Sequence, residues 1–165
     1  MCRRRGFSLI ELMVTIAIVA ILLSVALPSM ADAIARNRIA SSANAFLAGL
    51  NYARTEAIRR NGAAGVCPTK SGVVCDGDWG DRWLVFAGKP TEPTVLSLGE
   101  FSDKDQFTSE SPTSKSITFD ARGMLAVAPN AFELRPVDCG AGKPMRRLFS
   151  VQRTGSVSVM KGACL

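Results

Sequence analysis

One stretch near the start of the chain decides its fold: Arg3-Arg4-Arg5-Gly6-Phe7-Ser8-Leu9-Ile10-Glu11-Leu12-Met13. Three arginines lead to a glycine, and a single acid, Glu11, interrupts the apolar run that follows. The twenty residues from Leu12 to Ala31 carry no charge, and a helix of that length can cross a bilayer. By the positive-inside rule, the arginines hold the start of the chain in the cytoplasm. The stretch therefore predicts a membrane anchor with a basic leader.

Other membrane signals fit this pattern less well. A secretory signal peptide also has a basic start, and residues 31–33 match its small-residue cleavage site. Its apolar core is shorter, at about 7–15 residues, and an acid such as Glu11 is foreign to it. A lipoprotein signal places its cysteine after the apolar run, whereas Cys2 lies before it. A plain transmembrane anchor does not explain Glu11 either.

The junction Gly6-Phe7, with a carboxylate five residues after the glycine, resembles the type III signal of type IV pilins and type II secretion pseudopilins. The resemblance implies that prepilin peptidase cuts after Gly6 and methylates the new amino terminus at Phe7. It also implies that Glu11, a costly residue in lipid, pairs with the terminal amine of a neighbouring subunit during assembly. The alternative is that Glu11 lies at the headgroup level without a partner.

Beyond the anchor, the sequence predicts that the helix continues to about Asn61. Pro28 lies inside this helix and is expected to bend it. Apolar residues then recur at spacings of three and four, as one face of an amphipathic helix requires. They are Ile39, Ala43, Phe46, Leu50, Ala53 and Ala57. Gly62 is a typical helix stop after two arginines. A helix from Phe7 to Asn61 would be roughly 80 Å long, which suits a filament subunit.

From Ala63 the pattern changes to short apolar runs between turn residues, which predicts an antiparallel sheet. The predicted strands are 64–67, 83–87, 94–101, 116–120, 124–127, 131–136, 147–152 and 156–160. Residues 120–123 and 153–155 are predicted hairpin turns, and the polar residues 102–115 are predicted to form a loop. A long helix followed by strands indicates the α+β class.

This pattern divides the chain and indicates how the helix is covered. Trp83, Leu84 and Phe86 are bulky strand residues that are expected to cover the helix. The predicted parts are a leader at 1–6, a membrane-spanning and assembly half of the helix at 7–31, an amphipathic half at 32–62 and a periplasmic β-rich head at 63–165.

A second resemblance begins at the end of the helix. Its motifs are Ala53-Arg54-Thr55-Glu56-Ala57-Ile58-Arg59-Arg60-Asn61-Gly62, Val66-Cys67-Pro68, Cys75-Asp76-Gly77-Asp78-Trp79 and Trp83-Leu84-Val85-Phe86. Together they resemble the FimT/GspH family of minor pilins and H-type minor pseudopilins, and with the amino-terminal signal the resemblance covers residues 1–87. It implies a pilin fold, in which a long amino-terminal helix packs on an antiparallel sheet. The C-P…C pair is closer to the pilus branch than to the secretion branch.

The resemblance also implies partners and a location. The partners are other major and minor pilins or pseudopilins, prepilin peptidase and the inner-membrane assembly platform. The chain would pass once through the bacterial inner membrane, with its head in the periplasm, before it enters a pilus or a pseudopilus. In a pilus it would be a low-abundance subunit that primes assembly near the tip. The alternative is a minor pseudopilin at the pseudopilus tip of a type II protein secretion system.

Four cysteines remain once the leader is removed, and they favour an oxidising compartment. Four cysteines allow three pairings. We favour Cys67 with Cys75 and Cys139 with Cys164, because each pair is local in sequence. A zinc site is the alternative, but these intervals do not show the short spacing that is typical of zinc ligands.

Nothing in the sequence indicates an enzyme, a cofactor or a metal site. The chain has no histidine, which excludes Ser-His-Asp and Cys-His arrangements. It also has no phosphate-binding Gly-rich loop. Asp76, Asp78 and Asp81 lack the terminal glutamate of an EF-hand loop, which favours a solvated turn over a calcium site.

The C-terminal region is rich in cations, and some FimT-like minor pilins bind DNA in natural transformation. The predicted DNA-binding residues are Arg146, Arg147, Arg153, Lys143 and Lys161. A hairpin would bring them together to contact the phosphates of double-stranded DNA without reading its sequence. The alternative is ordinary solvated charge on strand edges. One departure weakens the DNA prediction: Ser156 and Val157 stand directly after Gly155, where the resemblance implies a further basic residue. The formal net charge of +6 falls to +3 once the three leader arginines are removed, so the remaining chain is only mildly basic.

Overall fold

The computed structural model describes residues 7–109, 115–126 and 130–164. The leader predicted over residues 1–6 lies outside the described residues. The chain divides into two compact units, one that ends at Arg36 and one that comprises Asn37–Leu165. We call the second of these the globular unit. It therefore includes the predicted amphipathic half of the helix from Asn37 onward, together with all the described strands.

One helix, α1, comprises Leu9–Arg59. Ser8 caps its start, because the Ser8 Oγ accepts a hydrogen bond of 3.3 Å from the backbone N–H of Glu11. Before Arg36 the large apolar side chains of the helix are exposed. In the described part of the chain, α1 is the one helix long and apolar enough to cross a membrane. It continues through residue 28, and the bend expected there stays a prediction.

Within the globular unit, α1 buries one face against the strands. The six apolar residues that the sequence predicts for this face are all buried, which confirms the interpretation of their spacing. Phe46 lies at the centre of the face. Its ring meets those of Trp83, Phe107 and Phe149 edge-on, at centroid distances of 5.5, 4.8 and 5.3 Å. Such edge-to-face pairs add to the stabilisation that burial provides.

The helix ends in a Schellman motif, in which Asn61 rather than Gly62 adopts the left-handed conformation. Asn61 has a φ of 49°. Its N–H donates to the Ile58 carbonyl at 3.1 Å, and the Gly62 N–H donates to the Ala57 carbonyl at 3.0 Å. The predicted stop is therefore confirmed, although the residue with positive φ is the asparagine.

Within the described residues, eight strands follow α1 and form two antiparallel sheets of four strands each. The strands are β1 Ala64–Pro68, β2 Arg82–Lys89, β3 Glu92–Glu100, β4 Asp105–Ser109, β5 Ile117–Phe119, β6 Asn130–Pro136, β7 Arg146–Val151 and β8 Val157–Gly162. The first sheet has the order β3-β2-β1-β5 and the second has the order β4-β6-β7-β8. The predicted α+β class, with a long helix packed on antiparallel strands, is confirmed. The division into two sheets is not evident from the sequence.

Two local predictions are wrong. The sequence predicts a loop over 102–115, but β4 lies within this segment and pairs with β6. It also predicts a strand over 124–127, but there an isolated bridge joins Leu125 to Phe119, and residue 127 lies outside the described residues. The two predicted turns are present, with Gly123 and Gly155 at positive φ.

Alternate residues of β2 point to opposite faces of the sheet. Trp83 belongs to the main core with α1, and a methyl group at Gly49 would lie only 2.5 Å from its Cζ3 atom. Leu84 and Phe86 instead form a smaller cluster with Cys67. Leu84 and Phe86 lie an odd number of positions from Trp83, so they point to the face of the sheet away from α1. The expectation that they cover the helix is therefore wrong.

Candidate functional site

The amino-terminal part of the helix combines an exposed apolar surface with one acid. The side chain of Phe7 is 75% exposed, and Glu11 is also exposed. The Glu11 carboxylate has no partner among the described residues, since only the backbone N–H of Glu11 is hydrogen-bonded. An ionised acid in an apolar surface is costly unless a cation pairs with it. The Glu11 carboxylate is therefore exposed within an apolar surface, and its pairing with the amine of another subunit stays a prediction. Gly6, the predicted cleavage position, lies outside the described residues.

Two disulfides lie in the globular unit. Cys67 is bonded to Cys75 and Cys139 to Cys164, which is the pairing local in sequence. The first disulfide closes the loop between β1 and β2 over the smaller core cluster. The second joins the segment after β6 to the segment after β8. Bonded thiols are not available as zinc ligands or as nucleophiles.

Asp76 holds the loop that the first disulfide closes. Its Oδ1 accepts hydrogen bonds from the backbone N–H groups of Lys70 at 2.8 Å and Ser71 at 3.3 Å. The bond from Lys70 has the largest effect, and these bonds lower the pKa of Asp76 to about 2. Asp78, with 83% of its side chain exposed, faces solvent. In the part of the chain that the structure describes, no three metal-ligating residues cluster.

Two turns meet beside the C-terminal end of α1, and Arg54 joins them. Its Nε donates to the Gly123 carbonyl at 2.9 Å, and its Nη2 donates to the Thr154 carbonyl at 3.0 Å. The turns touch, because a methyl group at Gly155 would collide with the Gly123 carbonyl oxygen. Sequence reasoning missed this role of Arg54, since it depends on two turns far along the chain.

Glu56 is the buried acid of the E-A-I-R-R stretch. Its carboxylate accepts hydrogen bonds from the Arg59 Nε and Nη2 at 2.8 and 2.7 Å, and from the Arg60 Nε at 2.7 Å. The bonds from Arg59, followed by those from Arg60, lower the pKa of Glu56 to about 2. Residues three and four apart on a helix are neighbours. The spacing of this stretch therefore lets one acid hold two arginines at the helix end, a role that the sequence analysis did not assign.

The structure does not bring the predicted DNA-binding residues together. Arg146 and Arg147 are adjacent on β7, so their side chains point to opposite faces of the sheet. Arg146 pairs with Glu133 at 2.7 Å, whereas Arg147 is only 8% exposed. Arg153 lies on the turn after β7, at the other end of the strand. The period of two along a strand is a sequence signal that separates Arg146 from Arg147.

The two lysines of the predicted set lie at the disulfide end of the β7–β8 hairpin. Lys161 on β8 lies directly opposite Arg147, so the two residues share the face of the sheet that packs on α1. Lys143 is exposed in the loop between Cys139 and β7. The five cations therefore occupy four places: the outer face of β7, the helix-facing side of the hairpin, the loop at its disulfide end and the turn at its other end.

Comparison with known families gives two matches along the chain. The family model described as "Prokaryotic N-terminal methylation motif" matches residues 1–27. The model described as "Type II transport protein GspH" matches residues 42–155, which is more than half of the chain. The chain belongs to the GspH family. No significant match was found among curated proteins.

Two solved structures share the fold of this GspH-family chain. The type IV minor pilin FimU of Pseudomonas aeruginosa is 22% identical, with a TM-score of 0.60, over 79% of this chain and 97% of that one. The minor pseudopilin EpsH from the Type 2 Secretion System of Vibrio cholerae is 14% identical, with a TM-score of 0.55, over 75% of this chain and 97% of that one. At these identities the likeness shows the pilin fold.

The resemblance to FimT/GspH minor pilins is therefore confirmed. Membership of the family implies assembly with other pilins or pseudopilins. The structural neighbours are pilin subunits rather than enzymes, in agreement with the prediction that the chain is not an enzyme. The methylation motif and the exposed apolar helix indicate a membrane-anchored pilin.

Proposed function

We propose that this chain is a minor pilin of a type IV pilus, a low-abundance subunit that primes assembly near the filament tip. The observation that carries the proposal is the change along α1. Its first part exposes apolar side chains and the Glu11 carboxylate, which has no partner among the described residues, whereas its second part buries one face in its own globular unit. A filament packs such apolar helices against one another, whereas a soluble protein gains nothing from an exposed apolar helix.

Processing and location follow from the same proposal. Prepilin peptidase removes the leader 1–6 after Gly6 and methylates Phe7. Residues 7–31 cross the inner membrane, residues 32–62 and the head at 63–165 lie in the periplasm, and the assembly platform moves the subunit into the filament. Glu11 then pairs with the terminal amine of a neighbouring subunit. Such a pair is stronger in an apolar medium than in water, so it can set the register of assembly.

The loop closed by the first disulfide favours a pilus over a secretion pseudopilus, because the C-P…C pair resembles the pilus branch of the family. A strain that lacks the gene tests this choice. We expect fewer surface pili by electron microscopy, normal export of proteins by type II secretion, and recovery when the gene is returned on a plasmid. Normal piliation with impaired export would assign the chain to the pseudopilus tip. If both remain normal, the priming role is wrong.

We also propose a second role, the non-sequence-specific binding of double-stranded DNA in natural transformation. The observation that favours it is an excess of cations where Arg54 joins the two turns. The arginines are Arg54, Arg59, Arg60, Arg122 and Arg153. Two acids, Glu56 and Asp120, oppose these five cations. The side chain of Arg122 is 78% exposed and can reach a phosphate. We therefore centre the proposed DNA site on these turns rather than on β7.

A gel shift of the full chain in detergent, at several salt concentrations, tests this second role. Arg122→Ala/Arg153→Ala should weaken binding and lower the slope of log affinity against log salt by about two. The matched control is Lys143→Ala/Arg146→Ala, which also removes two cations but lies outside the turns. If only the control pair lost binding, the DNA site would lie at β7 and the loop before it instead of at the turns. No binding at low salt would mean that these cations are ordinary solvated charge.

A further inference from the structure

Arg147 is a buried cation without an acid. Its side chain faces α1, and the residue is only 8% exposed. Its Nη1 donates to the backbone carbonyls of Pro144 at 3.3 Å and Arg146 at 2.9 Å, and its other N–H groups have no partner among the described residues. Burial lowers the pKa of Arg147, and no carboxylate offsets this effect. Buried arginines are almost always paired, since an unpaired charge in a protein interior is costly.

A cavity of about 360 Å³ lies beside Arg147, between α1 and the β7–β8 hairpin. We call it the Arg147 pocket. It is lined by Ala40, Ala43, Asn44, Arg147, Val159 and Lys161. None of these residues is acidic, and the two cations share one face because they lie directly opposite each other on β7 and β8. Lys161 and Asn44 are exposed, so the pocket opens to solvent, and Arg147 supplies a buried positive charge at its wall.

We propose that the Arg147 pocket receives one carboxylate, carried by an acidic side chain of a neighbouring filament subunit. The free N–H groups of Arg147 can donate to a carboxylate, and the Lys161 ammonium group supplies a second charge. The Asn44 amide can donate a further hydrogen bond. The apolar walls formed by Ala40, Ala43 and Val159 suit the methylene stem of an aspartate or glutamate better than a hydrated inorganic ion.

The source of the carboxylate rests on the proposed role as a filament subunit. One wall of the pocket is α1, the element that carries the assembly carboxylate Glu11 at its other end. A DNA duplex is a poor fit, because its phosphates would have to enter a cavity between a helix and a hairpin to reach an arginine that is 92% buried. A side chain of a neighbouring subunit is narrow enough to enter.

The first experiment asks whether the pocket binds a carboxylate. The full chain in detergent is unfolded by heat, and tryptophan fluorescence is followed, since both tryptophans lie in the globular unit. Sodium propionate, which copies a glutamate side chain, should raise the Tm by about 2–4 °C relative to sodium chloride of equal ionic strength. Arg147→Met and Lys161→Met should lose this shift. Arg153→Met, which removes an exposed arginine, should keep it.

Three results of this experiment would overturn the proposal. Propionate and chloride could give the same Tm, or the shift could persist in Arg147→Met. Sodium phosphate could also raise the Tm where propionate does not, which would make the pocket a phosphate site. Arg147→Met removes a buried unpaired charge, and such a removal need not prevent folding. The variant is therefore expected to fold and to give a valid test.

The second experiment asks whether the carboxylate comes from a neighbouring subunit. Asn44→Asp places a carboxylate on the wall of the pocket within the same chain. It should raise the Tm without added anion, abolish the propionate shift and lower incorporation into filaments in cells. Asn51→Asp makes the same change at an exposed position of α1 and should do none of these. Normal incorporation of Asn44→Asp would overturn the assignment to a neighbouring subunit. If the unsubstituted chain itself never enters filaments, the proposed function is wrong. The propionate shift would still test whether the pocket binds a carboxylate.

Discussion

Two glutamates on the same helix have opposite surroundings. Glu56 is 5% exposed, and two arginines of its own chain donate three hydrogen bonds to its carboxylate. Glu11 is exposed and has no side-chain partner among the described residues. Apart from the wall of the Arg147 pocket, the later part of α1 therefore packs within its own chain. The earlier part has an exposed apolar surface and a carboxylate that no side chain of the described residues contacts.

The contrast separates stability from assembly. In the globular unit, outside the Arg147 pocket, a change should alter the free energy of unfolding, because the contacts there are made within one chain. Before Arg36 a change should alter incorporation into a filament and leave the globular unit as stable as before. Each prediction can break this separation if a substitution in one part produces the effect assigned to the other.

The largest effect is expected for Glu11→Gln. The amide keeps the shape of the side chain but removes the charge that would attract the terminal amine of a neighbouring subunit. We expect near-complete loss of the subunit from sheared filaments, with an unchanged amount in the membrane fraction, as measured by immunoblot. The matched control is Glu92→Gln, which removes an exposed acid from β3 and should be incorporated normally. Normal incorporation of Glu11→Gln would mean that Glu11 lies in the membrane without a partner.

The disulfides should give the next largest effect, confined to the globular unit. By the loop-entropy model, Cys139→Ser/Cys164→Ser should cost about 3.5 kcal/mol and Cys67→Ser/Cys75→Ser about 2.5 kcal/mol. The difference arises because the second disulfide closes the longer loop. Urea unfolding of the full chain in detergent, followed by tryptophan fluorescence, measures both costs. Equal midpoints with and without a reducing agent would contradict this prediction, as would a loss of membrane association.

How far the sequence could predict these features depends on how local they are. The buried face of α1 follows from side chains three and four positions apart, and the positions of most strands follow from short apolar runs. β4 was missed because Asp105-Gln106-Phe107-Thr108-Ser109 contains a single apolar residue. Asp105 turns inward because the Arg38 Nε reaches it from α1 at 2.9 Å. Sixty-seven positions separate these two residues, and no local pattern shows such a contact.

The residues of the candidate site also differ in whether a local sequence signal predicts their role. The signal around Gly6, Phe7 and Glu11 is local, and a family model of the N-terminal methylation motif matches the residues that carry it. Whether the C-terminal cations form one cluster depends on the face of the sheet to which each side chain points and on the positions of the acids that pair with them. Strand alternation alone separates Arg146 from Arg147. The pairing of Arg146 with Glu133, and the cavity beside Arg147, required the three-dimensional register of β6, β7 and β8.

A smaller effect is expected for Gly49→Ala, in the part of α1 that belongs to the globular unit. Alanine normally stabilises a helix by about 1 kcal/mol relative to glycine. Here the added methyl group would lie 2.5 Å from the Trp83 Cζ3 atom, so we expect a net loss of about 1–3 kcal/mol. Thermal unfolding of the full chain measures this cost. In a Trp83→Phe background the crowding ring is gone, and Gly49→Ala should become neutral or stabilising. A similar cost in both backgrounds would show that Trp83 does not rest on the helix here.

The smallest effect is the contribution of Glu56 to the pH dependence of stability. The pKa of Glu56 is lowered from 4.5 to about 2. A carboxyl group with a lowered pKa stabilises the folded state above its ordinary pKa, and this contribution is lost as the pH falls toward the folded value. The Tm of the unsubstituted chain should therefore fall between about pH 4.5 and pH 2, and it should fall less steeply in Glu56→Gln. Some slope should remain, because the pKa of Asp76 is also lowered to about 2. Glu11→Gln should leave this pH dependence unchanged, since Glu11 takes no part in the folding of the globular unit. A Glu11→Gln profile that matches Glu56→Gln would remove the distinction between the two ends of the helix.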